Sequence, residues 1–290
     1  MKTIHPAFQL SEQTHPGLVA LKVANLEHMT KFYQEVIGLT LRETSERQSM
    51  LGTEETTLLI LTKVANPLPV TPKTGLYHVA FLLPTRRDLG NALYHYLTVN
   101  APIAGASDHG YSEALYLTDP EGNGIEVYRD KPKSEWDIRE DGEIVGITIE
   151  MDADGVLAAA DRQHATFPKG TTVGHVHLKV ADLDKTEQFY TNSLGLTLKS
   201  DFGKQAKFFA TGTYHHHIGS NIWMGHNIPA MSADDLGLDY YTFVTNQEEL
   251  SKLEAHWQNH QVDYVKEDNQ LITMDPNGIK IKFQLAKHVQ

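Results

Sequence analysis

The chain has 290 residues, no cysteine, and 25 lysines and arginines against 37 aspartates and glutamates, for a formal net charge of −12. That length allows two ordinary domains with self-sufficient cores, and without cysteine there are no disulfides, thiol nucleophiles or thiolate metal sites; His, Asp and Glu remain as strong ligands, a set suited to Fe(II), Mn(II) or Zn(II). A negative chain is repelled by phosphate backbones and anionic lipid, and it holds neither an apolar core of signal-peptide length near its start nor a run approaching the ~18 apolar residues of a membrane span, so no nucleic acid or membrane partner is expected and the expected compartment is the cytoplasm.

Residues 19–24 read as a strand, Asn25 as the N-cap of a helix carrying Phe32 and Tyr33 that stops at Gly38, and residues 48–51 and 57–62 as further strands. A second unit opens at Gly75 with GLYHVAFLL and a helix, and its later part is SDHGYSEALYLTDPEGNGIE from Ser107. There His109 lies in a Gly-flanked loop, residues 114–117 form a strand, Asp119-Pro120-Glu121-Gly122-Asn123-Gly124 is turn chemistry, and residues 125–128 are the returning strand. Period-2 alternation puts Glu126 and Tyr128 on one face and Ile125 and Val127 on the other.

Residues 131–169 break the pattern, with a short strand candidate at 144–149 and an alanine-rich helix candidate at 155–162. They read as a structured linker tying two halves, a lid over a site being the other use of so long a connection. VGHVHLKVADLDKTEQFYTNSLGLTL from Val173 then repeats PGLVALKVANLEHMTKFYQEVIGLTL from Pro16 without a gap, Gly174 on Gly17 at an offset of 157, with Asp182 as N-cap, Phe189-Tyr190 in the helix and a stop at Gly195. Strand-rich sequence follows at 206–211 and 217–224, and GLDYYTFVTNQEELSKLEAHWQN from Gly237 is a weaker copy of the unit at Gly75, with Asp275-Pro276 marking its hairpin. Self-similarity therefore gives an α+β chain of four βαβββ modules. They span about 15–64 and 75–130 in an N-terminal half (1–130), and about 171–226 and 236–286 in a C-terminal half (171–290), joined by a linker at 131–170.

Paired βαβββ units, Gly174-His175 heading one, Tyr77-His78 opening another, and an Asp-Pro-x-Gly hairpin ending in Glu together resemble the vicinal oxygen chelate (glyoxalase/bleomycin resistance/extradiol dioxygenase) superfamily. The match is strongest to the extradiol enzymes of the catechol 2,3-dioxygenase type. Their signature reads here as His109, five residues, Leu115, Tyr116, two residues, Asp119, Pro120, Glu121, Gly122, three residues, Glu126; Ser107, two before His109, departs from it. The resemblance implies two cup-shaped mixed-sheet barrels and an Fe(II) enzyme, with Mn(II) as the other metal such sites accept. It implies extradiol (meta) cleavage of a catechol- or hydroquinone-type aromatic diol by O2. Carried onto this chain, it implies His78, His175 and Glu126 as metal ligands, His216 as acid/base, and His109 and Tyr116 as substrate-pocket residues.

Unit 4 has Tyr240 where unit 2 has His78 and Lys282 where it has Glu126, and unit 1 has Leu18 in the place of His175. A complete triad therefore requires units 2 and 3 to share a barrel, within one chain or across a homodimer. Taken singly, a histidine at a strand start is ordinarily a hydrogen-bonded structural residue and a hairpin glutamate a solvated one. Their joint placement at equivalent positions of repeats argues for the triad. Alternation through Tyr214-His215-His216-His217-Ile218 aims His216 inward and its neighbours away. Two other functions are consistent with the same fold: a glyoxalase-like metal-dependent lyase or thiol transferase, which would want a second carboxylate where this chain has Ile60 or Ser220, and a metal-free small-molecule binding protein.

Overall fold

In the computed structural model, which describes residues 3–286, each repeat folds as strand, helix and three strands. Module 1 comprises β1 (His15–Val23), α1 (Leu26–Phe32), β2 (Thr40–Thr44), β3 (Gln48–Gly52) and β4 (Thr57–Lys63). Module 2 comprises β5 (Gly75–Leu82), α2 (Arg86–Thr98), β6 (Ile103–Asp108), β7 (Ser112–Thr118) and β8 (Gly124–Asp130). The connection carries β9 (Ile149–Glu150) and α3 (Ala153–Ala158). Module 3 comprises β10 (Thr172–Lys179), α4 (Leu183–Gln188), β11 (Thr197–Asp201), β12 (Ala206–Ala210) and β13 (Ile218–Asn221). Module 4 comprises β14 (Gly237–Thr245), α5 (Gln247–His260), β15 (Val265–Glu267), β16 (Gln270–Met274) and β17 (Lys280–Leu285).

The helix starts follow from their caps. Asn25 accepts from the His28 amide and Asp182 from the amides of Asp184 and Lys185, satisfying donors the first turn cannot pair internally. Both short helices then widen into a π turn, Tyr33–Ile37 and Phe189–Ser193, and the first ends at Gly38 with φ +97°, a conformation glycine adopts without strain.

Sheet pairing does not follow the sequence halves. One sheet has the order β15-β16-β17-β14-β1-β4-β3-β2 and the other β11-β12-β13-β10-β5-β8-β7-β6-β9, so module 1 pairs with module 4 and module 2 with module 3. The joints are antiparallel, β1 with β14 and β5 with β10, whereas inside each module the first strand runs parallel to the last. Each sequence half is held together differently, through its Asp-Pro hairpin. Tyr33 Oη of module 1 donates to Asp119 Oδ2 of module 2 at 2.9 Å, and Glu121 accepts from the amides of Ala24 and Asn25. Tyr190 of module 3 likewise bonds Tyr241 at 2.8 Å and Asp275 at 3.4 Å in module 4.

The helix-facing sides of both sheets merge into one core that includes Leu21, Tyr33, Phe81, Val127, Tyr190, Phe209, Tyr241, Phe243 and Trp257. Apolar residues at every second strand position fill it, which leaves the alternate positions of the module 2–3 sheet to line its inner face. The linker departs from its sequence reading. Residues 144–148 make no ladder: Ile144 forms a single bridge with Ile138, Val145 and Ile147 donate separately to the carbonyls of Asp137 and His109, and Ile149–Glu150 pairs with the end of β6. No helix among the described residues is long and apolar enough to cross a membrane.

Candidate active site

The inner face is built by register. Ala80 on β5 lies beside Glu126 of β8 in one direction and His175 of β10 in the other, and His78 is two residues back along β5 on the same face. Two glycines permit the close approach. A Cβ on Gly174 would meet the Tyr128 hydroxyl at 1.8 Å, and one on Gly124 would meet the Tyr77 carbonyl oxygen at 2.2 Å. The glycine before His175 is therefore a packing requirement.

The three side chains converge on one another. His78 Nε2 is 3.1 Å and His175 Nε2 3.2 Å from Glu126 Oε2, and the two nitrogens are 3.2 Å apart, all three residues being buried. This is the one group of His, Asp and Glu donors among the described residues with the spacing of a metal site. Two donors at right angles on an ion at about 2.1 Å would be about 3.0 Å apart, so the triangle fits one face of an octahedral ion. The protonation states suit ligands as well. Burial lowers the His175 pKa to about 4, keeping the ring neutral, while burial of Glu126 is outweighed by its interactions with His175 and His78, hydrogen bonds among them, which hold its carboxyl well below the ordinary range. His175 Nδ1 is buried without a hydrogen-bond partner, so the ring's polar contacts are all made through Nε2.

His109, at the β6–β7 turn, and Tyr116, on β7, form a pair. His109 Nδ1 lies 2.8 Å from the Ile147 carbonyl, which can only accept, so the proton is on Nδ1 and Nε2 accepts from the Tyr116 hydroxyl at 2.6 Å. Burial, then the Glu126 charge, pushes the Tyr116 phenol far up, so it stays protonated.

His216 reaches the cavity as expected, but its neighbour does not point away. Residues 211–217 form a loop instead of a strand, so period-2 alternation does not apply, and His215 lines the cavity too. The Asp130 carboxylate accepts from His215 Nε2 at 3.1 Å, and the two Nδ1 atoms of His215 and His216 are 2.8 Å apart. In the tautomer where His215 Nδ1 accepts from His216 Nδ1–H, His216 Nε2 keeps its lone pair. Burial, reinforced by the surrounding histidines, holds the His216 pKa well below its ordinary value. His217 is turned away and accepts from the Thr211 amide at 3.2 Å.

These groups share a cavity of about 510 Å³. Its wall includes Ile144, Gly146, Ile147 and Thr148, so the linker forms part of the pocket besides joining the halves. Sequence reasoning passed over His177, Tyr111, Phe208 and Trp223, which also line it. His177 had a signal: two residues from His175 on one strand, it must share that residue's face. Gly219, opposite it in register, leaves room for its ring. Trp223 had none, since it follows β13 in irregular chain. Ile60 lies in the other sheet, and Ser220 bonds the Lys207 carbonyl, so neither expected position brings a second carboxylate to the triad.

Comparison with known proteins places this fold in a family. A family model described as the Glyoxalase/Bleomycin resistance protein/Dioxygenase superfamily matches residues 15–127 and again 172–283. A protein of Bacillus subtilis (strain 168) named catechol-2,3-dioxygenase is 40% identical over 282 residues, 94% of this chain and 98% of that one. Similar solved structures include a proposed dioxygenase from Bacillus subtilis (TM-score 0.64, 12% identity, 96% of this chain and 87% of that one) and glyoxalase I from Zea mays (TM-score 0.53, 15% identity, 93% and 92%). At such identities the two structures speak for the fold alone. The family model covers both halves of the sequence and the Bacillus relative nearly all of it, and the chain belongs to the glyoxalase/bleomycin resistance protein/dioxygenase superfamily.

Proposed function

We propose that this protein is an Fe(II)-dependent extradiol dioxygenase that opens a catechol- or hydroquinone-type ring beside the diol, placing both atoms of O2 in the product. The observation that carries this reading is the buried His78–His175–Glu126 triangle at a cavity that also presents His216 and the His109–Tyr116 pair. The name of the 40%-identical relative supports it. Two imidazoles and one carboxylate form the facial set associated with ferrous iron, and Mn(II) is the other ion these donors suit. A step in aromatic breakdown in the cytoplasm is the setting we infer.

His78, His175 and Glu126 would hold the metal. Ferrous iron bound there supplies Lewis acidity toward the diol oxygens and a binding position for O2. The chain's own groups position the ring and handle its protons. His216 Nε2, its lone pair directed by the Asp130–His215–His216 series, accepts a proton from a diol hydroxyl and later returns it. The Tyr116 hydroxyl, oriented by His109, offers a hydrogen bond to a substrate oxygen, and His109 is itself anchored on the linker carbonyl of Ile147. Phe208 and Tyr77 contribute flat apolar walls. A metal-dependent lyase reading gains no support from the site, because the group of donors contains a single carboxylate.

The test is O2 uptake by anaerobically Fe(II)-reconstituted protein given a panel of catechols and hydroquinones, beside His78→Ala and Glu126→Ala. Stoichiometric uptake with a yellow ring-opened product, absent in both variants, is expected. No uptake by protein shown to contain iron overturns the reading.

A further inference from the structure

Among the described residues, the walls of the cavity contain neither lysine nor arginine, and Glu126 is their one acidic side chain. Most cations close to the walls are committed elsewhere, and Lys204, between the lining residues Phe202 and Gln205 in the chain, is exposed and not part of the wall. Arg86 and Arg129 both bond Glu113, Lys131 holds Asp108 at 2.5 Å, and Lys133 bonds Thr213 and overlies Trp136 at 5.8 Å. The least buried lining histidine, His109, has both ring nitrogens occupied by Ile147 and Tyr116.

The mouth has a character of its own. Four large lining residues keep substantial exposure, Tyr77 at 39%, Ile147 at 44%, Trp223 at 49% and Phe202 at 50%. Tyr77 and Trp223 meet edge to face at 5.0 Å, and Phe202 does the same with Phe208 at 5.6 Å, so both pairs stand as firm aromatic walls. Apolar surface left open to water at a cavity mouth marks a place where a ligand covers it.

We infer that this site takes diols whose ring substituent is uncharged and apolar, such as alkyl, aryl or halogen, and disfavours those bearing a carboxylate. The inference rests on the ring-cleavage reading for the orientation of the diol toward the triad. That orientation sends the substituent toward Phe202, Ile147 and Trp223. An apolar group there removes aromatic surface from water, whereas a carboxylate is drawn out of water beside aromatic rings with no lysine or arginine among the described lining residues to meet it.

The experiment uses a matched set: 4-ethylcatechol, 3,4-dihydroxyphenylacetate, and the amide of that acid, which keeps its size and removes its charge. Binding is measured anaerobically by calorimetry on the Fe(II)-loaded protein, and kcat/KM by O2 uptake in air. Ethylcatechol is expected to bind tighter than the acid by roughly 10-fold or more, with the amide between them. Phe202→Arg or Trp223→Arg, each placing a cation at the mouth, is expected to narrow that gap by strengthening the acid. Equal or tighter binding of the acid, binding of neither diol, or a gap unmoved in both arginine variants overturns the inference. Apolar-selective binding without O2 uptake sinks the dioxygenase and leaves the selectivity standing. Uptake at equal efficiency on acid and ethylcatechol does the reverse.

Discussion

The two sheets are assembled from the same kind of module pair, joined by the same antiparallel contact, yet their inner faces carry different chemistry. In the sheet of modules 2 and 3, Ala80 lies in register between Glu126 and His175. In the sheet of modules 1 and 4 the equivalent of Ala80 is Thr242, with Lys282 beside it in place of Glu126. The Thr242 hydroxyl accepts from the Leu18 amide at 2.9 Å. The Lys282 ammonium lies 3.8 Å from the centre of the Tyr240 ring, a cation–π contact where the other sheet gathers two imidazoles and a carboxylate. A second difference is the loop ahead of the last strand, residues 53–56 in module 1 and 211–217 in module 3. The longer loop carries His215 and His216 to the cavity. The fold thus supplies two equivalent positions for a site, and a few side chains and one loop extension decide which can hold a metal.

The largest effect should come from copying the 1–4 sheet into the 2–3 sheet. His78→Tyr with Glu126→Lys replaces two donors by a phenol and an ammonium, and iron content measured after reconstitution should fall to background, together with O2 uptake. Retention of a full equivalent of iron would falsify the triad assignment. Next in size is His216→Ala, which removes the proton acceptor proposed above, carried by module 3's loop. It should lower kcat by ~10²–10⁴ with iron content unchanged and KM much less affected; a kcat like that of the parent protein would remove His216 from the mechanism.

Smaller effects should separate the two Asp-Pro hairpins. Tyr33→Phe deletes the 2.9 Å bond to the buried Asp119 and should cost about 1–3 kcal/mol in urea unfolding. Tyr190→Phe should cost at least as much, because it removes the 2.8 Å bond to the buried Tyr241 as well as the 3.4 Å bond to Asp275. A clearly smaller loss than in Tyr33→Phe would show that the second hairpin is anchored more weakly.

The smallest effect is a slope. Burial raises the Asp275 pKa to about 6, even though hydrogen bonds from Asn277, the Ile279 amide and Tyr190 pull the other way. The folded protein therefore binds this proton at pH values where the unfolded chain, with an ordinary carboxyl near ~3.9, has released it. Asp275 thus makes stability fall as pH rises from about 4 to about 6, with no further change above. Asp275→Asn should flatten that decline, read from unfolding midpoints at several pH values; a decline as steep as the parent's would assign it to other groups.

Much of the site was legible because its information is local. The Asp119-Pro120 turn and the two-residue period of β8 place Glu126 and Tyr128 on one face and Ile125 and Val127 on the other, as the structure has them. The tautomer series from Asp130 to His216 was not legible, since it joins β8 to a loop 85 residues later and depends on that loop leaving strand geometry.

The sequence by itself determined the four modules, their helix caps and hairpins, and the residue types available to bind a metal, because periodicity, capping and turn chemistry are set by neighbouring residues and are repeated at a readable offset. It also showed that a triad needs modules 2 and 3 together. Only the tertiary structure decided that one chain meets this need, by joining β5 to β10 so that His78 and His175, 97 residues apart, face each other at 3.2 Å. It likewise decided that the linker walls the cavity and that Trp223 and Phe202 frame its mouth. Strand pairing and cavity shape depend on which surfaces meet across long separations in the chain, and no local pattern records that choice.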